Sequence, residues 1–241
     1  MSVLYLVRHG QASFGQANYD RLSPLGERQA RRLGEYWLKW QVGPDAVYIG
    51  SLERQRRSAE TVAEVYRAAG RSFPDSLVLP EFNEYDSSAI LTGSVPQLLA
   101  KHPAVAGLLQ ELAADGKPDL VANKKNFQRV FSRVMGLWVE GKIHVKGMES
   151  WQDFTGRVNR GLDRVMAEQG PGKTVAVFTS GGPVSAAMQR ALGSSDQVAL
   201  ELGWVVANGS ISEFRYSGGK FALAGFNGTP HLMEPELITY R

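Results

Sequence analysis

Val3-Leu4-Tyr5-Leu6-Val7-Arg8-His9-Gly10 is the stretch whose reading decides the fold. The apolar run Val3 to Val7 reads as a buried strand. It ends abruptly in Arg8 and His9, which delivers a guanidinium and an imidazole to one edge of a sheet. Gly10 then lets the backbone turn away closely, because it has no Cβ to obstruct an approaching ligand. In open α/β sheets ligands bind beyond the carboxyl ends of the strands, which is where this tripeptide falls.

Working outward, helix and strand periods alternate. Ser23-Pro24 predicts a helix start, with serine able to cap and proline tolerated at the first helical position. Leu25, Ala30, Leu33 and Trp37 follow at helical spacing as far as Trp40. Asp45 to Ile49 reads as a second strand, and Gly50-Ser51 leads into a helix carrying Ala59, Val62, Val65 and Tyr66 on one face. Leu77 to Leu79 is a short strand candidate.

From about 88 to 149 the strand signal disappears. Leu98, Val105, Leu108, Leu109 and Leu112 suggest one helical stretch, interrupted or kinked near Pro103, and Gly116-Lys117-Pro118 breaks the chain. Phe127, Val130, Phe131, Val134, Met135 and Trp138 then recur at helical intervals, a stripe read as core. The region is expected to be a helical insertion over the sheet, a candidate lid, within a single domain spanning 1–241.

Trp151, Phe154, Val158, Leu162 and Val165 form a further amphipathic helix. Thr174 to Phe178 is a continuous apolar strand, followed by Thr179-Ser180-Gly181-Gly182 and a helix opened by Pro183. Val205 to Ala207 reads as another strand. Ser210 to Tyr216 and Phe221 to Phe226, around Ser217-Gly218-Gly219, read as a closing hairpin. The expected fold is α/β: three layers, a mostly parallel sheet with helices on both faces.

Composition bounds the chemistry. The chain has 241 residues, 43% of them hydrophobic, which is ample for a sizeable core. A net charge of +3, from 27 basic and 24 acidic residues, argues against nucleic acid as a main partner. The pairs Arg56-Arg57 and Lys124-Lys125 read as solvated helix faces. With no cysteine there is no thiolate metal site and no cysteine nucleophile. His9, His102, His144 and His231 are scattered, which speaks against a histidine-rich metal site. No run approaches a membrane span, and the amino terminus lacks the pattern of a signal peptide, so a cytoplasmic protein with no membrane partner is expected.

Three predicted strand ends converge: Arg8 and His9 from the first, Ser51 and Arg54 beyond the second, and Thr179-Ser180-Gly181-Gly182 after a later one. Two guanidiniums, helix-start amides and hydroxyls make an oxyanion site, and the arginine fork favours phosphate. A histidine among cations is held towards its neutral, nucleophilic form. Glu81 and Glu84 follow a strand where an acid to protonate a leaving oxygen would project.

Leu6-Val7-Arg8-His9-Gly10-Gln11 resembles the signature of the histidine phosphatase superfamily, the phosphoglycerate mutase-like proteins. Leu22 to Ala30, Gly50-Ser51-Leu52-Glu53-Arg54-Gln55 with Ser58-Ala59, Glu149 to Val158, and Asn208-Gly209-Ser210-Ile211 resemble later segments of the same family. The resemblance runs from residue 3 to about 216, excluding most of the insertion. It implies a metal-independent and cofactor-free phosphomonoester hydrolase, with a small-molecule phosphate ester as partner. His9 would accept the phosphoryl group, and Arg8 and Arg54 would bind its oxygens. Asn83-Glu84-Tyr85-Asp86 matches one version of the acidic motif and favours Glu84 as the acid, while Leu79-Pro80-Glu81 fits another.

One departure is clear. Most members carry a second histidine before Gly-Gly, and here Ser180 holds that place. Ser180 and Gly181 are assigned to phosphate binding, but serine offers only a neutral hydrogen bond. Losing one preorganised donor typically costs about 10²–10³ in rate, so activity is expected to be reduced, and Ser180→His is expected to raise it. Phosphoglycerate mutase-type transfer and a low-activity phospho-ligand-binding or regulatory protein are the alternatives. A serine nucleophile is disfavoured because Phe178 stands where a Gly-x-Ser-x-Gly elbow needs its first glycine. Neither a Gly-x-x-x-x-Gly-Lys-Ser/Thr loop nor a Gly-x-Gly-x-x-Gly fingerprint is present.

Overall fold

The computed structural model describes residues 1–13, 19–103, 105–107 and 124–240. Six strands form one sheet in the order β3-β2-β4-β1-β5-β6. They are β1 (Ser2–Arg8), β2 (Ala46–Ile49), β3 (Ser76–Val78), β4 (Thr174–Thr179), β5 (Ile211–Ser217) and β6 (Lys220–Gly228). The pairs β1–β4, β2–β4 and β2–β3 are parallel, whereas β1–β5 and β5–β6 are antiparallel. The sheet is thus mostly parallel, as the alternating periods predict, with an antiparallel hairpin at one edge.

Two strands explain the placing of the core. β2 is buried along its whole length, and β4 at every position after Thr174. Such unbroken apolar runs belong in a sheet covered on both faces. On one face, Val7, Val47, Ile49, Ala176 and Phe178 pack with Leu33 and Trp37 of α1 (Pro24–Lys39) and with Ala59, Val62 and Tyr66 of α2 (Glu53–Ala68). The Trp37 ring meets Phe178 edge-on, with centroids 6.1 Å apart. Truncating such a buried ring to alanine costs about 3–5 kcal/mol. Tyr48, of opposite parity on β2, points to the other face. Its hydroxyl donates to Glu168 Oε2 (2.8 Å) and accepts from Gln169 Nε2 (2.7 Å).

Local chemistry sets the element ends. The Ser23 hydroxyl accepts from Gly26 N at 3.0 Å with Pro24 at the first helical position, so α1 begins where the sequence says it should. The β5–β6 hairpin turns at Gly218 and Gly219, both at positive φ (53° and 80°), a conformation that favours glycine and matches the strand twist.

The chain divides into two units, 1–84 with 157–241, and 85–156. The sheet belongs to the first. The second holds α3 (Ser87–Lys101) and α4 (Lys124–Val139), with Ile90, Leu98, Val130, Val134 and Met135 buried. Tyr85, Trp138, Trp151 and Phe154 form an aromatic cluster, with Tyr85–Trp138 centroids 5.0 Å apart. Of the stripe read as core, Val130, Val134, Met135 and Trp138 are buried, whereas Phe127 and Phe131 are partly buried. α3 begins well before Leu98, because Asp86 caps it by accepting from Ala89 N at 2.9 Å, and it stops at His102 ahead of Pro103. Leu108, Leu109, Leu112 and the Gly116-Lys117-Pro118 break lie outside the described residues.

α5 (Trp151–Gln169) buries Trp151, Phe154, Val158, Leu162 and Val165. After β4 come α6 (Gly181–Leu192) and α7 (Asp196–Val205). Here one expectation is corrected. Val205 to Ala207 is not a strand: Val205 ends α7, and Ala207 N donates to the side chain of Asn227 (Oδ1, 2.7 Å) instead of to a ladder.

Candidate active site

The carboxyl ends of β1, β4 and β2 lie side by side, and the register places them. Arg8 pairs with Thr179, and His9 N donates to Thr179 O at 2.9 Å. Gly50 N donates to Phe178 O at 3.3 Å. The far side of the Arg8-His9 backbone is held by the turn before β5. Arg8 N donates to Ser210 O, and Gly209 N lies 3.1 Å from the carbonyls of both Arg8 and His9. Asn208-Gly209-Ser210, legible only as a motif in the sequence, therefore braces the peptide that carries the imidazole.

The close turn at Gly10 has a different cause from the one expected. A Cβ there would lie 2.3 Å from Gly26 O, and one on Gly26 would lie 2.2 Å from Gln11 O. The approaching group is the first turn of α1, not a ligand. Gly10 N also donates to Ser58 Oγ (3.0 Å), whose hydroxyl donates to Arg54 O (2.8 Å), tying β1 to α2.

His9 is 4% exposed. Its Nδ1 is 2.6 Å from Gly10 O, which fixes the proton on Nδ1 and leaves the Nε2 lone pair available. Arg54 Nε–H donates to that Nε2 at 3.1 Å. Burial, and then the charges of Arg54 and Arg8, hold the His9 pKa well below the usual histidine range, with the Gly10 carbonyl opposing. The imidazole is neutral.

Arg54 itself is buried, and its Nη1 lies 2.6 Å from Asp20 Oδ1, with the Tyr19 ring 5.5 Å from its Cζ. Asp20 Oδ2 accepts from Glu53 N at 2.8 Å, at the start of α2. Arg8 Nη1 donates to Val206 O, and the Arg8 guanidinium flanks Gly181, where a Cβ would lie 3.8 Å from Nε.

Ser180 precedes α6 without capping it through its side chain. It is fully buried, and its hydroxyl accepts from Gln55 Nε2 at 2.9 Å. The same Nε2 donates to Phe82 O at 3.0 Å, and Thr179 Oγ1 donates to that carbonyl at 2.7 Å. The two carboxylates part company. Glu84 Oε2 accepts from Gly182 N (3.0 Å) in the first turn of α6. Glu81 turns towards α5, 4.0 Å from Arg164. The loop bearing both is fixed by Arg157, which donates to the carbonyls of Pro80, Glu81 and Asn83, and by Asn83, which exchanges hydrogen bonds with Ser51.

The structure thus brings His9 and Arg54 into contact, sets Arg8 against Gly181, and puts Glu84 on the turn that follows Ser180. No local pattern marks Asp20, and Gln55 stands in the second arginine motif with no role legible there; their partners lie 34 and 125 residues away. His231 is buried between the Tyr36 ring and Gly209. A cavity of about 390 Å³ bordered by Val42, Tyr66, Phe73 and Pro74 contains none of these groups. Among the described residues no cluster of His, Cys, Asp and Glu is arranged to hold a metal, and no helix is long and apolar enough to cross a membrane.

The profile of the histidine phosphatase superfamily (branch 1) matches residues 4–140 and 122–229. The chain belongs to the histidine phosphatase superfamily. Its match reaches through the insertion, further than the motifs alone indicate. Comparison with the curated proteins returned no match. Among solved structures, this histidine phosphatase superfamily member resembles YhfR of Bacillus stearothermophilus (17% identity, TM-score 0.65, covering 96% of this chain and 99% of that one). It also resembles phosphoserine phosphatase of Entamoeba histolytica in complex with 3-phosphoglyceric acid (16%, TM-score 0.63, 97% and 100%). A third is phosphoglycerate mutase of Bacillus anthracis (16%, TM-score 0.60, 95% and 94%). At these identities the likeness is one of fold, and the fold is the phosphoglycerate mutase-like α/β sheet.

Proposed function

We propose that this protein hydrolyses small phosphate monoesters through a phosphohistidine on His9. The observation that carries the reading is the Arg54 Nε to His9 Nε2 contact of 3.1 Å: a buried, neutral imidazole with its reactive nitrogen beside a cation. In the first step the Nε2 lone pair bonds to phosphorus and the ester P–O bond breaks. The leaving oxygen takes a proton from Glu84. In the second step a water attacks phosphorus, Glu84 takes its proton, the N–P bond breaks and inorganic phosphate leaves. The Nδ1–H bond to Gly10 O persists throughout and offsets the positive charge that the ring acquires.

Arg8 and Arg54 bind the phosphoryl oxygens and neutralise charge in the transition state, so the scheme needs no metal. Glu84 is preferred to Glu81 as the acid because it lies at Gly182, next to Gly181 and Arg8, whereas Glu81 faces α5. Ser180 and Gly181 complete the phosphate-binding set. The Ser180 hydroxyl accepts from Gln55 and keeps one hydrogen to donate to a phosphoryl oxygen.

A low-turnover phospho-ligand-binding protein is the second reading, and the buried Ser180 favours it. Release of phosphate from p-nitrophenyl phosphate and a panel of alkyl phosphates separates the two. Hydrolysis abolished by His9→Ala, with acid-labile label trapped on the wild-type protein, supports the enzyme. Phosphate binding with no turnover on any ester supports the binding protein. Interconversion of phosphoglycerates without net phosphate release supports mutase-type transfer.

A further inference from the structure

We infer that Asp20 is an internal anion that competes with the phosphoryl group for Arg54, and so lowers the affinity of the site for substrate and product alike. The inference rests on the reading of Arg54 as a phosphoryl ligand and adds to it a residue outside the motifs.

The Asp20 carboxylate uses two kinds of donor that would also suit a phosphoryl group. Its Oδ1 takes Arg54 Nη1 at 2.6 Å, and its Oδ2 takes the Glu53 amide at 2.8 Å, at the amino end of α2. A guanidinium together with a helix-start amide is an anion site, here filled by a carboxylate of the same chain. A further Arg54 contact, through Nε, covers the lone pair of His9 Nε2. Arg54 therefore has to leave one or both partners before a phosphoryl group can reach Nε2 and be bound. The exchange is feasible because the Asp20 side chain is about one-third exposed, against 10% for Arg54.

The consequence is a site that trades affinity for release. An incoming dianion gains Arg54 only by displacing a single negative charge. When phosphate departs, Asp20 takes the guanidinium back. A partly exposed ion pair of this kind is worth a modest amount, so the competition is expected to weaken anion binding about three- to tenfold.

The variant that removes the charge with least change of shape is Asp20→Asn, whose single side-chain oxygen can accept from the Glu53 amide or from Arg54 but not from both. Inorganic phosphate and orthovanadate are titrated calorimetrically into wild type, Asp20→Asn and Asp20→Ala, with circular dichroism confirming the fold of each. Tighter binding of both anions in Asp20→Asn by about three- to tenfold, with KM falling by a like factor and kcat unchanged or lower, is the expected result. Unchanged or weaker binding in both variants overturns the inference, since that is what a residue serving only to orient Arg54 would give. A wild-type protein that binds neither anion removes the phosphoryl-site reading as well, and is told apart from the previous outcome by the wild-type titration alone.

Discussion

The Nε2 of Gln55 lies 2.9 Å from the hydroxyl of Ser180, and both side chains are fully buried. This pair argues against the expectation that a histidine at 180 raises activity. An imidazole would have to enter space already taken by the Gln55 amide, and overpacking of this kind typically costs about 1–3 kcal/mol. Ser180→His is therefore expected to lower both the denaturant midpoint and turnover, and Gln55→Ala combined with Ser180→His to recover part of each. A single Ser180→His variant faster than wild type would show that the space is open after all.

The depressed His9 pKa predicts the acid limb of the rate profile. The nucleophile is already neutral at pH 7 and stays neutral as pH falls through the usual histidine value near 6.5. After correction for the substrate's own second ionisation, near 6, kcat/KM should show no acid limb at about 6.5. Such a limb, persisting with a substrate of lower second pKa, would contradict the assignment.

Stability responds to the same protons. An imidazole in the unfolded chain binds a proton near pH 6.5, whereas burial pushes folded His231 down to about 4. Its contribution is intact above pH 6.5 and is lost as pH falls towards 4, which amounts to about 2–3 kcal/mol by pH 4.5. His9 adds to the loss in the same direction. His231→Phe should flatten this slope; urea midpoints at pH 7.5 and 4.5 for both proteins measure it.

The two candidate acids separate on leaving group. Glu84→Gln should slow hydrolysis of alkyl phosphates by about 10²–10⁴-fold and that of p-nitrophenyl phosphate far less, because nitrophenolate leaves without help. Glu81→Gln, losing only an exposed contact with Arg164, should stay within a few-fold of wild type on both. The reverse pattern in steady-state assays would move the acid to Glu81.

Gly10 and Gly26 each bring backbone to within reach of a hypothetical Cβ, at 2.3 and 2.2 Å, where no side-chain rotation gives relief. Alanine at either position should cost more than about 3 kcal/mol, beyond the usual range for a point change, and yield of soluble protein should fall with it. Wild-type denaturation midpoints for either variant would contradict the packing.

The fold was legible where one signal dominated. The apolar runs of β1 and β4, the Ser23-Pro24 helix start and the Gly218-Gly219 turn each state their structure locally. α7 was not found because its apolar residues do not form one stripe: Ala199 and Leu200 are buried while Val198 and Val205 are half-exposed, and the run Val205 to Ala207 imitates a strand. Within the site, Arg8, His9, Arg54 and Glu84 sit in recognisable motifs. Asp20 lies outside them, and Gln55, though inside one, has no legible role, because what gives each its meaning is a partner far along the chain.

The strand bearing His9 and the strand leading to Arg54 both hang on the last peptides of β4, which lies between them in the middle of the sheet. Middle strands with buried ladders are the last amides to exchange with solvent when a protein breathes. Nucleophile and cation should accordingly keep their spacing through every partial opening that spares that strand. Their loss under denaturant should then coincide with melting of the whole sheet, with no earlier, separately reversible stage.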